Sequence, residues 1–382
     1  MESKGQPPRR EDYQSDEEFI LQAPLLKSLD ARIRTCSTLQ EWAILRAQQG
    51  LYLARTSRID EAAGIPNEIR AQFRGREEPE VYLWIWLLEA VENFYRTAST
   101  GQCHLLHRVY AMSKSMGWTA MAQYSAAWLA NSAFQDDDYS QMNRFLSVTG
   151  MHDAEYSEAG CRACMVAAVA MQSAGRTDSA GKWFGLAREI ARRIGDRASV
   201  IASIQNRAIM RLDRLWVRQA IPSIPMDNIV HIKNELLGAL EYERVTGSDA
   251  FVVQGDVARV RLLILQERYD AAAQHIDSLP IQCGESVLSV ARSLVVVREW
   301  LRVRMDDLYV PSFDAISLAE ASIESLDVDD AAVSWLFLSE VARRIGDVKA
   351  ENLYVLKMVE SGSHHQNRLL RLEAAVAEIS DL

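Results

Sequence analysis

Residues Ala167–Val200 read AAVAMQSAGRTDSAGKWFGLAREIARRIGDRASV, and this stretch decides the fold. It is a helix, a turn, a second helix and a second turn. The first half is an apolar helix that runs out at Ser173-Ala174-Gly175. In the turn Gly175-Arg176-Thr177-Asp178, the glycine supplies the positive φ that ends one helix, and Asp178 is the expected acceptor for backbone N–H groups at the start of the next. Trp183, Phe184, Ala187, Ile190, Ala191 and Ile194 then recur at three- and four-residue intervals, which places them on one helical face. Gly195-Asp196 stops that helix and caps a third.

Working outward, the same unit recurs along the chain. Turns between paired helices are marked by Asp60, the neighbourhood of Gly101, Asp138, Asp178, the neighbourhood of Met226, Asp270, the neighbourhood of Pro311, and Asp347. Seven steps cover 287 residues, a mean of 41. A second register, between one pair and the next, carries Met116-Gly117-Trp118, Ile194-Gly195-Asp196, Thr246-Gly247-Ser248 and Leu326-Asp327-Val328, and repeats at multiples of a similar length. A period in this range predicts an array of stacked helix pairs. The fold class is therefore all-α, an α-solenoid of about eight antiparallel helix pairs. Ser37-Thr38 predicts a cap for a helix over Leu39–Ala54. The β-branched run Leu294-Val295-Val296-Val297 lacks hairpin turn chemistry and reads as helix.

Residues 1–15 are rich in Pro, Arg, Glu and Ser, and read as a disordered leader. Helical periodicity begins near Asp16, with Phe19, Ile20, Leu25, Leu26 and Leu29 as candidate core positions, so the array is expected over 16–362. Pro222 and Pro225 interrupt it and put a sub-array boundary at 218–228. Residues 363–382 read as a separate amphipathic helix, with His364-His365 in a polar loop at its start.

At 382 residues with 48% hydrophobic composition the chain can bury a large core. A net charge of −10 argues against a direct nucleic-acid partner, which needs a basic face. The densest apolar run, Val81–Leu88, is too short to span a bilayer, so no membrane association is expected. Five cysteines at irregular positions do not form a disulfide framework, and a cytoplasmic location is expected.

Chemistry-bearing clusters are sparse. Cys161 and Cys164 share a helix face, but lack a second pair at zinc spacing and read as buried small residues. Cys103, His104 and His107 lack a further ligand, and Asp136-Asp137-Asp138 lacks the spacing of a calcium loop, so no metal is expected. With no nucleophile elbow, phosphate loop or dinucleotide fingerprint, neither a cofactor nor an enzymatic activity is expected. The nine tryptophans, spread along the array, read chiefly as wedges between repeats.

Ala168, Gly175, Ala180, Phe184 and Ala187 stand at the spacings of the tetratricopeptide pattern, and Tyr269-Asp270-Ala271-Ala272 and Asp60-Glu61-Ala62-Ala63 follow it. Over residues 38–362 the chain resembles tetratricopeptide-like repeat proteins, with repeats longer than the usual 34 residues. It also resembles the arrays attached to bacterial transcriptional activators and GGDEF-type cyclases. That resemblance implies a right-handed superhelix whose concave face binds a protein or peptide, in a regulatory or scaffolding role; the alternative it leaves open is a peptide- or ligand-responsive regulator. Tyr124, Asn131, Asn206, Arg207, Arg211 and Arg261, on the first helices of their pairs, are the expected contacts. The terminal helices leave a homodimer open, because an end repeat needs a polar cap or a second subunit.

Overall fold

A computed structural model describes residues 23–56, 58–97, 101, 103–151, 157–225, 227–246, 252–279 and 288–379. The expected leader at 1–15, the array start near Asp16, the turn at Met226 and the glycine of Thr246-Gly247-Ser248 lie outside the described residues.

Among the described residues there are seventeen helices and no strand. A short helix, α1 (Pro24–Thr35), precedes eight pairs. The first four are α2 (Leu39–Ala54) with α3 (Ile59–Gln72), α4 (Pro79–Thr97) with α5 (Cys103–Ser115), α6 (Thr119–Gln135) with α7 (Tyr139–Leu146), and α8 (Glu158–Ser173) with α9 (Thr177–Ile194). The last four are α10 (Arg197–Val217) with α11 (Ile229–Thr246), α12 (Val252–Leu265) with α13 (Tyr269–Ser278), α14 (Leu288–Met305) with α15 (Phe313–Ile323), and α16 (Val328–Ile345) with α17 (Val348–Ile379). Within each pair the two helices pack together, and from α6 onward each first helix packs on the first helix of the next pair. The fold is thus the all-α stack of helix pairs expected from the repeat period.

The local chemistry behaves largely as written. Thr38 accepts the Glu41 amide at 3.1 Å and starts α2 at Leu39. Gly175 has φ +80°, and the Arg176 amide returns to the Met171 carbonyl at 2.9 Å, the bond that ends a helix through a left-handed residue. Asp178 departs from expectation. The cap position of α9 is Arg176, without a side-chain bond, and Asp178 lies inside the first turn, where its charge complements the helix dipole instead. Leu294–Val297 lies inside α14 as expected.

Two main hydrophobic cores divide the stack. The first runs from α1 to the start of α10, and the second from Trp216 to Tyr354. The division falls within α10, whose Ala198 and Val200 belong to the first core and Trp216 to the second. It therefore precedes the proline-containing connector at 218–228. The reason is that prolines interrupt only the chain, whereas the 21-residue α10 is long enough to serve both sides. The expected separate helix at 363–382 is also not what forms. One helix of 32 residues, α17, runs through that boundary to Ile379. His365 is consequently not in a loop; it is a buried helical residue, while His364 is exposed.

Candidate functional site

In each half of the stack, a buried arginine joins helices far apart in sequence. In the first half, Arg55 at the end of α2 reaches the α9–α10 turn. Its Nη1 donates to Asp196 Oδ2 at 2.6 Å and to Ser199 Oγ at 3.1 Å, and its Nη2 lies 3.5 Å from Glu158 at the start of α8. Burial works against the Asp196 carboxylate, but the Arg55 guanidinium and two bonds from Ser199 outweigh it and hold it below the usual range. Burial pushes Glu158 up and Asp196 adds to that, a rise that Arg55 at 3.5 Å offsets only in part. Around this centre Tyr52 and Tyr124 are buried, and Arg162 stacks 4.1 Å over Trp128 while donating to the Tyr95 hydroxyl at 2.9 Å. Cys161 and Cys164 are free and buried beside it, and burial pushes both thiols to about 12, so neither is a thiolate at neutral pH.

In the second half, Arg261 of α12 is the centre. It donates to Asp213 of α10 at 2.6 Å and, through one nitrogen, to both oxygens of Asp330 of α16 at 2.7 and 2.8 Å. Trp216 lies 5.5 Å from the guanidinium, beside a stack in which Trp300 and Phe337 are 4.3 Å apart. Burial raises Asp213 to about 6, and Asp330 and Asp329 add to the rise. Asp330 is raised as well, by burial and by Asp329.

Four of the six expected contact residues fall into three places, and the two asparagines stand apart from them. Tyr124 belongs to the first centre and Arg261 to the second, each 6% exposed. Arg207 and Arg211 come together on Glu235 at 3.3 and 2.8 Å, and Arg211 also holds Asp227 at 2.7 Å. Asn131 and Asn206 are half-buried, and the Asn131 amide nitrogen has no hydrogen-bond partner. Most of this polar chemistry is thus spent within the chain. Arg55, Glu158, Asp213 and Asp330 were not singled out from sequence, and Asp196 was read only as a helix cap. The only local sign of Arg55 was its place at the end of the apolar run Leu51-Tyr52-Leu53-Ala54.

An open pocket among the described residues lies elsewhere, between α13 and α14. A half-open pocket of about 320 Å³ is lined by Ile276, Leu301, Met305 and Tyr309, with Arg298 and Arg302 as its cations and Asp277 and Asp306 as its anions. Arg298 Nε is buried and lacks a hydrogen bond. Next to the pocket, the α14–α15 loop presents Leu308, Val310 and the first residue of α15, Phe313, at 90%, 67% and 85% exposure. Among the described residues no cluster of His, Cys, Asp and Glu could hold a metal ion, and no helix is long and apolar enough to cross a membrane.

No protein-family model matches the chain, and no curated protein matches it. Among solved structures, the crystal structure of Rap protein complexed with competence and sporulation factor is similar over 89% of this chain and 99% of that one, with a TM-score of 0.46 and 12% identity.

Proposed function

We propose that the chain is a non-enzymatic interaction module that holds a protein or peptide partner, in a regulatory or scaffolding role. The observation that carries this reading is the apolar rim of Met305, Leu308, Val310 and Phe313 beside an amphipathic pocket. Contiguous exposed apolar side chains next to a cleft cost solubility, and such patches usually mark binding surfaces. The two buried arginine centres fix the scaffold and are closed to a partner. The test is affinity capture from native extract with the purified chain and with a Leu308→Asp, Phe313→Asp variant as baits, quantified by mass spectrometry. A stoichiometric partner retained by the native chain and lost by the variant is expected; equal recovery overturns the reading.

The pocket itself favours a second reading, a ligand-responsive regulator, since its volume suits a small molecule or a peptide side chain. A peptide or metabolite fraction that raises the unfolding temperature of the native chain but not of Arg298→Gln supports it.

A further inference from the structure

Helix α17 is shared between the two cores. Its first half pairs with α16, where Tyr354 stacks on Trp335 at 5.6 Å and its hydroxyl donates to Glu320 at 2.7 Å. Its second half leaves that pair, crosses the stack and lies on α7 and α8 of the first half. There Leu372, Val376 and Ile379, spaced as i, i+4 and i+7, are buried in the first core. That is the pattern of an amphipathic helix laid into a groove. Ala375 packs partly buried beside them, and the polar contacts centre on the buried Asn143 and on more exposed groups. Asn143 Nδ2 donates to the Ala375 carbonyl at 2.9 Å and to Glu378 at 2.8 Å, Arg368 pairs with Asp137 at 2.7 Å, and Gln366 donates to Ser223 at 3.0 Å.

Two further features set this half apart. Between the halves the sequence is Ser361-Gly362-Ser363, three residues that favour helix weakly, with Gly362 packed beside Ile221 of the proline connector. The fit is also incomplete, because Asn143 Oδ1 and His365 Nδ1 are buried without partners. A different occupant offering a donor to Asn143 would make a bond that α17 does not.

We infer that residues 366–379 are a releasable strap, and that the α7–α8 groove beneath them is a docking seat for an amphipathic helix of a partner. The fitting helix carries apolar residues at i, i+4 and i+7, a carboxylate two residues after the middle one, and a donor toward Asn143. The chain's own helix holds the seat until that partner displaces it. This inference rests on the interaction-module reading only for its biological use, since its test involves neither the pocket nor the 308–313 rim.

The probe is a fluorescent peptide with the sequence of residues 364–379. It is titrated against the full chain and against a full-length Leu372→Asp, Val376→Asp variant in which the strap is released. Binding at least tenfold tighter to the variant than to the native chain is expected, and is lost when Val376 of the probe is replaced by Asp. A folded variant that binds the probe no better than the native chain overturns the proposal. Should the variant fail to fold, hydrogen exchange on the native chain decides. Amides of 366–379 are expected to exchange at least tenfold faster than those of 348–358 in the same helix, and equal protection overturns the releasable strap. A native dimer in which light scattering and cross-linking show α17 exchanged between copies also overturns it, in favour of self-association.

Discussion

The hexapeptide Ala-Arg-Arg-Ile-Gly-Asp occurs twice, at 191–196 and at 342–347, and its two copies have different fates. Locally they are superposable. The glycines have φ +75° and +80°, and the aspartate amides return to Ala191 and Ala342 at 2.8 and 2.9 Å. In each copy the aspartate also caps the following helix, accepting the Ser199 amide at 3.1 Å or the Ala350 amide at 3.0 Å. Beyond the turn the likeness ends. Asp196 is 1% exposed and bound to Arg55, whereas Asp347 is exposed. Gly195 is wedged under α1, with the Leu25 amide donating to its carbonyl at 3.1 Å, and Gly346 faces open space. The same six residues make a structural keystone in one place and an ordinary helix cap in the other. Turn geometry follows from the segment, while the energetic weight of the turn is set by what packs on it.

The largest effect expected from this contrast is at the aspartates. Asp196→Ala leaves the Arg55 guanidinium buried without its main partner, which costs about 3–5 kcal/mol. Asp347→Ala removes only a cap, about 1 kcal/mol. Denaturant unfolding of the two variants measures both, and equal losses break the comparison. Next come the glycines. Gly346→Ala meets only the left-handed backbone penalty, about 1–2 kcal/mol. At Gly195 an added methyl carbon also sits 3.1 Å from the Leu25 nitrogen and from Pro24 Cβ, so α1 must shift. Gly195→Ala is therefore expected to lose more stability than Gly346→Ala and, unlike it, to unprotect the Leu25 amide in hydrogen exchange. Retained protection at Leu25 counts against the wedge.

A pH-dependent effect separates the two arginine centres. Around Arg55 the acids are matched by a second cation, Arg162, and Asp196 is held ionised. Around Arg261 three aspartates, 213, 329 and 330, crowd one arginine. Asp213, raised to about 6 against an ordinary value of 3.8, binds its proton more tightly folded than unfolded. Its stabilising contribution is present in full below pH 3.8 and is lost as the pH rises through about 6. The difference in unfolding free energy between the native chain and Asp213→Asn should accordingly shift in favour of the native chain as the pH falls from 7 to 4. A difference that stays flat across that window removes the charge surplus as a feature of the second half.

Much of the architecture was legible in the chain because it is periodic. Gly175, Gly195 and Gly346 stop helices wherever they stand, and Thr38 starts α2 at the residue expected. The errors fell where neighbours in space override neighbours in sequence. The Ser361-Gly362-Ser363 stretch looks like a break, yet α17 continues through it because both of its halves are packed. Polar residues on first helices looked like partner contacts, yet Arg211 and Arg261 meet carboxylates 16 to 69 positions away. The pairing partners of Arg55 are 103 and 141 positions distant, and no local pattern points to them.

What the sequence alone determined is the all-α class, the helix-pair repeat and most of its turns. These depend on φ preferences, capping and the spacing of apolar residues, all interactions within a few positions of one another. Only the tertiary structure decided which arginines are buried keystones, where the core divides, which pocket stays open, and that the last helix crosses to the first half. Those outcomes depend on how far the stack curls back on itself, a sum of small packing angles over eight pairs that no single segment encodes.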